Sequence, residues 1–136
     1  MIKNDAQRER TVVQIEGFRD ALSKAREGMT EKRAAAVTGS YRGMIRHLED
    51  GVRQYDDLKR GDLALPDVDR LDQIAPFVTR IRISKGISQT ELARRLGVSK
   101  QVISRYEESD YQTASVAKLQ EVLDAMGIKT SITLLS

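Results

Sequence analysis

Cysteine is absent from the 136-residue chain, which excludes a disulfide framework and a cysteine-based zinc finger. Histidine occurs once, at His47. Without clustered ligands or a partner of catalytic type it reads as a surface residue, so neither a metal site nor a cofactor is expected. No apolar run approaches the length needed to cross a bilayer. The opening Met1-Ile2-Lys3 has no apolar signal core either, so the expectation is a soluble cytoplasmic protein with no membrane partner. A glycine-rich phosphate loop, a metal-ligand cluster and a nucleophile–base spacing are also missing. No catalytic residue is assigned and an enzyme is not expected.

What the chain does have is locally concentrated charge. Its net charge is only +3, but residues 80–105 hold seven Lys or Arg against one Glu, and residues 107–124 hold five acids against one Lys. A local basic segment is the electrostatic footprint of phosphate contact.

Within that segment Ser88 to Glu108 reads as two short helices joined by a tight turn. Ser88 followed by Glu91 predicts a capping box, with each side chain satisfying a backbone N–H at the helix start. The first helix then begins at Gln89, buries Leu92, Ala93 and Leu96, and stops at Gly97. Ser99 offers a second N-cap, and Val102, Ile103 and Tyr106 give the next helix its apolar side. The residues left facing outward are Ser99, Lys100, Gln101, Ser104 and Arg105. Such a helix fits the major groove, where Lys100 and Arg105 can donate to guanine and Gln101 can pair with adenine.

The run Gln-Thr-Glu-Leu-Ala, then Leu-Gly-Val-Ser, then Ile-Ser-Arg-Tyr-Glu resembles the helix-turn-helix of the Xre family, the Cro and lambda-repressor type, over about Leu71 to Gly127. The resemblance implies a DNA-binding fold in which Lys100, Gln101 and Arg105 fall where family members read bases, and Gln89 where they contact a phosphate. Arg94 and Arg95 are further phosphate candidates, as are Arg82 and Lys85, taken to lie on the outer side of the preceding helix. Many small Xre-like proteins are antitoxins that regulate their own operon, so the resemblance also admits that role.

The flanking segments read differently. From Asp5 to Met29 the residues Ile15, Phe18, Leu22, Ala25 and Met29 form one helical stripe. Thr30 is an N-cap candidate for a second helix reaching Leu58, whose Ala34, Val37, Tyr41, Met44, Leu48, Tyr55 and Leu58 follow a seven-residue repeat missed only at Gly51. Two narrow stripes on a short loop predict an antiparallel hairpin, closed within one chain or between chains. The second helix would be ~43 Å long. Gly39, Gly43 and Gly51 each weaken it by about 1 kcal/mol, so a kink or break is expected near Gly39-Ser40.

Residues 61–70, with Gly61 and Pro66, read as a linker. A helix follows from Asp69, Asp72 or Ala75, with Phe77 and Ile81 buried and Gly86 at its end. The polar loop Glu108 to Ala114 departs from the family's common Asn-Gly wording. Ser115 caps a last helix that buries Val116, Leu119, Val122, Leu123 and Met126. Ile128, Thr130, Ile132 and Leu134 then alternate with polar residues, the period of a strand, which would pair with its copy in a second subunit or with the extended piece near Leu63.

The expected architecture is mainly α. It comprises a helical hairpin over 1–60 for dimerisation or partner binding, a linker over 61–70, a lambda-repressor-like helix-turn-helix bundle over 71–127, and a short C-terminal β-strand over 128–136. The expected function is a dimeric repressor that binds double-stranded DNA. The alternatives are an antitoxin with a toxin partner on residues 1–60, or a protein-interaction module that keeps the helix-turn-helix only as a scaffold.

Overall fold

The computed structural model describes residues 1–136, and the chain divides into two compact units, Met1–Asp57 and Leu58–Ser136. In the first unit, helix α1 spans Asp5–Ala25 and helix α2 begins at Glu31 and continues to Lys59, past the unit boundary. Both starts are capped by side chains: Asn4 Oδ1 accepts the Gln7 N–H at 2.8 Å, and Thr30 Oγ1 accepts that of Arg33 at 3.3 Å.

The two stripes close on each other within one chain. The Tyr55 hydroxyl donates to Asp5 at 2.6 Å, and Arg8 grips Asp56 through Nε at 2.7 Å and Nη2 at 2.9 Å. Arg19 pairs with Glu49, and Phe18 meets Tyr41 edge to face with centroids 6.1 Å apart. These pairs bring the start of α1 to the end of α2, which makes the hairpin antiparallel. Its buried side chains are few, namely Ile2, Ile15, Thr38, Ile45 and Tyr55. The anticipated break at Gly39-Ser40 does not form, and α2 runs as 29 continuous helical residues. Tyr41, two residues after Gly39, packs edge to face on Phe18, and Ile45 is buried, so side-chain packing on either side of Gly43 supports the helix there.

The second unit contains two 3-10 turns, Leu71–Gln73 and Ala75–Phe77, followed by four helices. These are α3 (Val78–Ser84), α4 (Gln89–Leu96), α5 (Lys100–Glu108) and α6 (Val116–Ala125). Pro76 sits in the second 3-10 turn, where its missing N–H costs no helical bond. Val78, Ile81, Leu92, Ala93, Ile103, Leu119, Val122 and Leu123 form one core, with Leu63, Phe77 and Ile128 packed on its edge. This core positions α5.

The C-terminal β-strand expected over 128–136 is not present: these residues are irregular, and the molecule has no strand at all. The alternating pattern was real but its proposed partner near Leu63 is also irregular, so a lone strand would leave its backbone donors and acceptors unpaired. Only Ile128 is drawn onto the core, while Leu134 and Leu135 are each 90% exposed.

Candidate nucleic-acid interface

The turn between α4 and α5 follows from local chemistry. Ser88 Oγ accepts the Glu91 N–H at 3.0 Å and starts α4. At the other end Gly97 adopts φ 67° and ψ 31°, a left-handed geometry that a Cβ would oppose. The Val98 N–H then folds back onto the Ala93 carbonyl at 3.0 Å. Ser99, in extended conformation, precedes α5 and makes no capping bond through its side chain.

The reciprocal half of the predicted capping box is absent. Glu91 turns instead to Arg94, whose Nε and Nη2 donate to it at 2.9 and 2.6 Å, and to Arg95 at 3.1 Å. Those two guanidinium groups, Arg94 foremost, hold the Glu91 carboxyl down to about 2.

On α5 the helix divides sharply. Ile103 and Glu107 are completely buried, Val102, Ser104 and Tyr106 are half-buried, and Ser99, Lys100, Gln101 and Arg105 are exposed. Four of the five base-reading candidates therefore share an open surface, with Ser104 at its edge. Among the phosphate candidates, Lys85, Arg94 and Arg95 are exposed, although Arg95 also donates to the Ala125 carbonyl at 3.0 Å.

Two phosphate candidates are corrected. Arg82 was expected outside α3 but is only 3% exposed, and Gln89 is 4% exposed. Arg82 donates to both carboxylate oxygens of Glu107 at 2.8 Å and to the Ile87 carbonyl at 2.8 Å. Gln89 Nε2 donates to the same carboxylate at 2.9 Å. A planar guanidinium matched to a carboxylate by two parallel bonds is the arrangement that makes a buried charge tolerable. Both side chains thus brace α3 and α4 against α5 and are withdrawn from any phosphate.

A helix-turn-helix family model matches residues 78–132. Residues 78–132 form a helix-turn-helix domain of the Xre, or lambda-repressor, type. A domain of this kind supports a DNA-binding role in transcription regulation, and the match opens on the first residue of α3 and runs through α6. No curated protein and no solved structure matches the chain. No helix is long and apolar enough to cross a membrane.

The helix-turn-helix domain contains two supports that sequence reasoning missed. The first is the Arg82–Glu107–Gln89 network. Its signal was present, since Glu107 lies four residues after Ile103 and Arg82 four after Val78, which places opposite charges on two buried stripes. The second is Tyr111, which lies in a loop read as merely polar but is 1% exposed. Its ring stacks on Tyr106 of α5 with centroids 5.4 Å apart and planes 6° from parallel. Asp110 and Tyr111 both take positive φ, 50° and 58°, and this left-handed pair turns the ring back under α5. The Tyr111 hydroxyl has no hydrogen-bond partner. Burial raises its pKa well above the ordinary tyrosine range, and the nearby Glu107 charge adds to the shift.

Proposed function

We propose that the protein is a sequence-specific, dimeric repressor whose two subunits present residues 99–108 to successive major grooves of a near-palindromic operator. The observation that carries this reading is the division of α5, with Ile103 and Glu107 fixed inside and Ser99, Lys100, Gln101 and Arg105 outside. Lys100 and Arg105 would donate to guanine edges and Gln101 would pair with adenine, with Ser104 beside them. Phosphate contacts fall to Lys85, Arg94 and Arg95, and to the backbone N–H groups opening α4 at Gln89. The hairpin of Met1–Asp57 is a separate compact unit with few buried side chains. That thin core favours a second reading, in which a protein partner such as a toxin docks there and the chain acts as an autoregulating antitoxin.

The reading is tested by fluorescence anisotropy on DNA fragments that include the gene's own upstream region, over a salt series. One fragment should bind tightly with a steep salt dependence, and Arg105→Ala should lower discrimination by about 1–3 kcal/mol. Equal, weak binding to every fragment, unchanged by Arg105→Ala, would remove the regulator reading.

A further inference from the structure

Eleven large apolar side chains of the chain are exposed, and six of them, Leu65, Val68, Leu71, Ile132, Leu134 and Leu135, line one groove. Its cavity is about 550 Å³, and Phe77 of the second 3-10 turn and Leu123 of α6 contribute to its wall. Scattered surface leucines need no explanation, but a contiguous set at one cleft marks a contact surface. No residue of α4 or α5 lines this groove, so covering it leaves the recognition helix open.

Charge identifies the occupant. The stretch before the first 3-10 turn brings Asp67, Asp69 and Arg70 to the groove, while the segment after α6 brings Lys129. Arg70 is held by Asp72, with both bonds at 3.1 Å. With Arg70 engaged by Asp72, the stretch before the first 3-10 turn brings free acidic charge to the groove, and the segment after α6 brings a lysine. A two-fold interface requires a patch that complements itself, with residue i of one copy meeting residue j of the other and the reverse. An apolar groove lined by acidic residues from one segment and a lysine from another can meet that requirement, because a two-fold axis brings each segment to the other's counterpart.

We infer that this groove is the self-association surface, its occupant being the same groove of a second copy. Leu134 and Leu135 of each chain cover the other's apolar wall, and Lys129 faces Asp67 and Asp69 of the opposite chain. This rests on the dimeric reading above and assigns the surface that carries it.

The test is sedimentation velocity on the full chain over a concentration series, comparing wild type with the Leu134→Asp, Leu135→Asp double variant. Both positions are 90% exposed, so the variant should keep its helical circular dichroism and melting temperature. The wild type should dimerise, and the double variant should dissociate with a constant weakened roughly tenfold or more. Lys129→Glu should weaken the dimer, and adding Asp67→Lys and Asp69→Lys should restore it. A wild-type dimer undisturbed by the leucine substitutions would overturn the inference while leaving the dimeric reading intact. A wild-type chain monomeric at every concentration, with and without operator DNA, would overturn both. Binding of a different protein to the groove without self-association would also overturn the inference.

Discussion

Replacing Glu107 with Gln tests the internal frame that presents α5. Glu107 is fully buried and accepts from Arg82 Nε, Arg82 Nη2 and Gln89 Nε2 at 2.8, 2.8 and 2.9 Å. The substitution nearly preserves shape but leaves the Arg82 guanidinium, itself 3% exposed, without a compensating charge. Breaking a buried pair in this way costs about 3–5 kcal/mol, a large fraction of the ~5–15 kcal/mol by which a domain is stable. Urea denaturation followed by circular dichroism measures the loss. Arg82→Met alone should be costly as well, because it strands the Glu107 carboxylate. The double variant Arg82→Met, Glu107→Gln should recover at least half of the summed loss, giving a coupling of about 2 kcal/mol or more. A cost for Glu107→Gln below about 1 kcal/mol, with additive single effects, would show that the Arg82–Glu107 pair does not brace α5.

Further outcomes are expected at three other positions. Tyr111→Phe removes a buried hydroxyl that has no partner and should be neutral or stabilising by up to about 1 kcal/mol, whereas Tyr111→Ala empties the stack on Tyr106 and should cost about 3–5 kcal/mol in thermal or urea unfolding. Gly97→Ala forces a Cβ into φ 67° and should cost about 1 kcal/mol, read as a lower melting temperature. Glu91 is depressed to about 2 in the folded chain against roughly 4.3 unfolded. Its contribution is therefore present above about pH 5 and lost as pH falls towards 2. The stability difference between wild type and Glu91→Gln, measured by denaturation at stepped pH, should shrink through that window. Glu91→Gln should also release Arg94 and Arg95 and strengthen salt-sensitive DNA binding.

The sequence disclosed the helices because each was marked by a local signal: Ser88 and Ser115 at N-caps, Gly97 in the turn, and apolar residues spaced at three and four. The outward residues of α5 were legible for the same reason, since whatever Ile103 and its neighbours did not occupy had to face solvent. Arg82 and Gln89 were misplaced because residue type alone sends a charged or amide side chain outward. Their burial depends on Glu107, 25 and 18 residues further along the chain, which only the tertiary fold brings together. Tyr111 was hidden by its polar neighbours. Residues 128–136 fail in the opposite sense: strand periodicity was clear, but a strand exists only with a partner, and the pattern could not supply one. At Gly39 the intrinsic helix penalty was outweighed by side-chain contacts such as that of Tyr41 with Phe18.

The proposed function depends on residues 99–108 entering the major groove and reading bases there. Dimethyl sulfate protection on the bound operator measures this directly, because guanine N7 opens to the major groove and adenine N3 to the minor. Guanine N7 atoms should be protected in two patches about 10–10.5 base pairs apart, or a multiple of that spacing. One guanine per patch should be exposed again in Arg105→Ala, with adenine N3 reactivity unchanged. Protection confined to adenine N3, or a guanine pattern identical in wild type and Arg105→Ala, would contradict the proposed function.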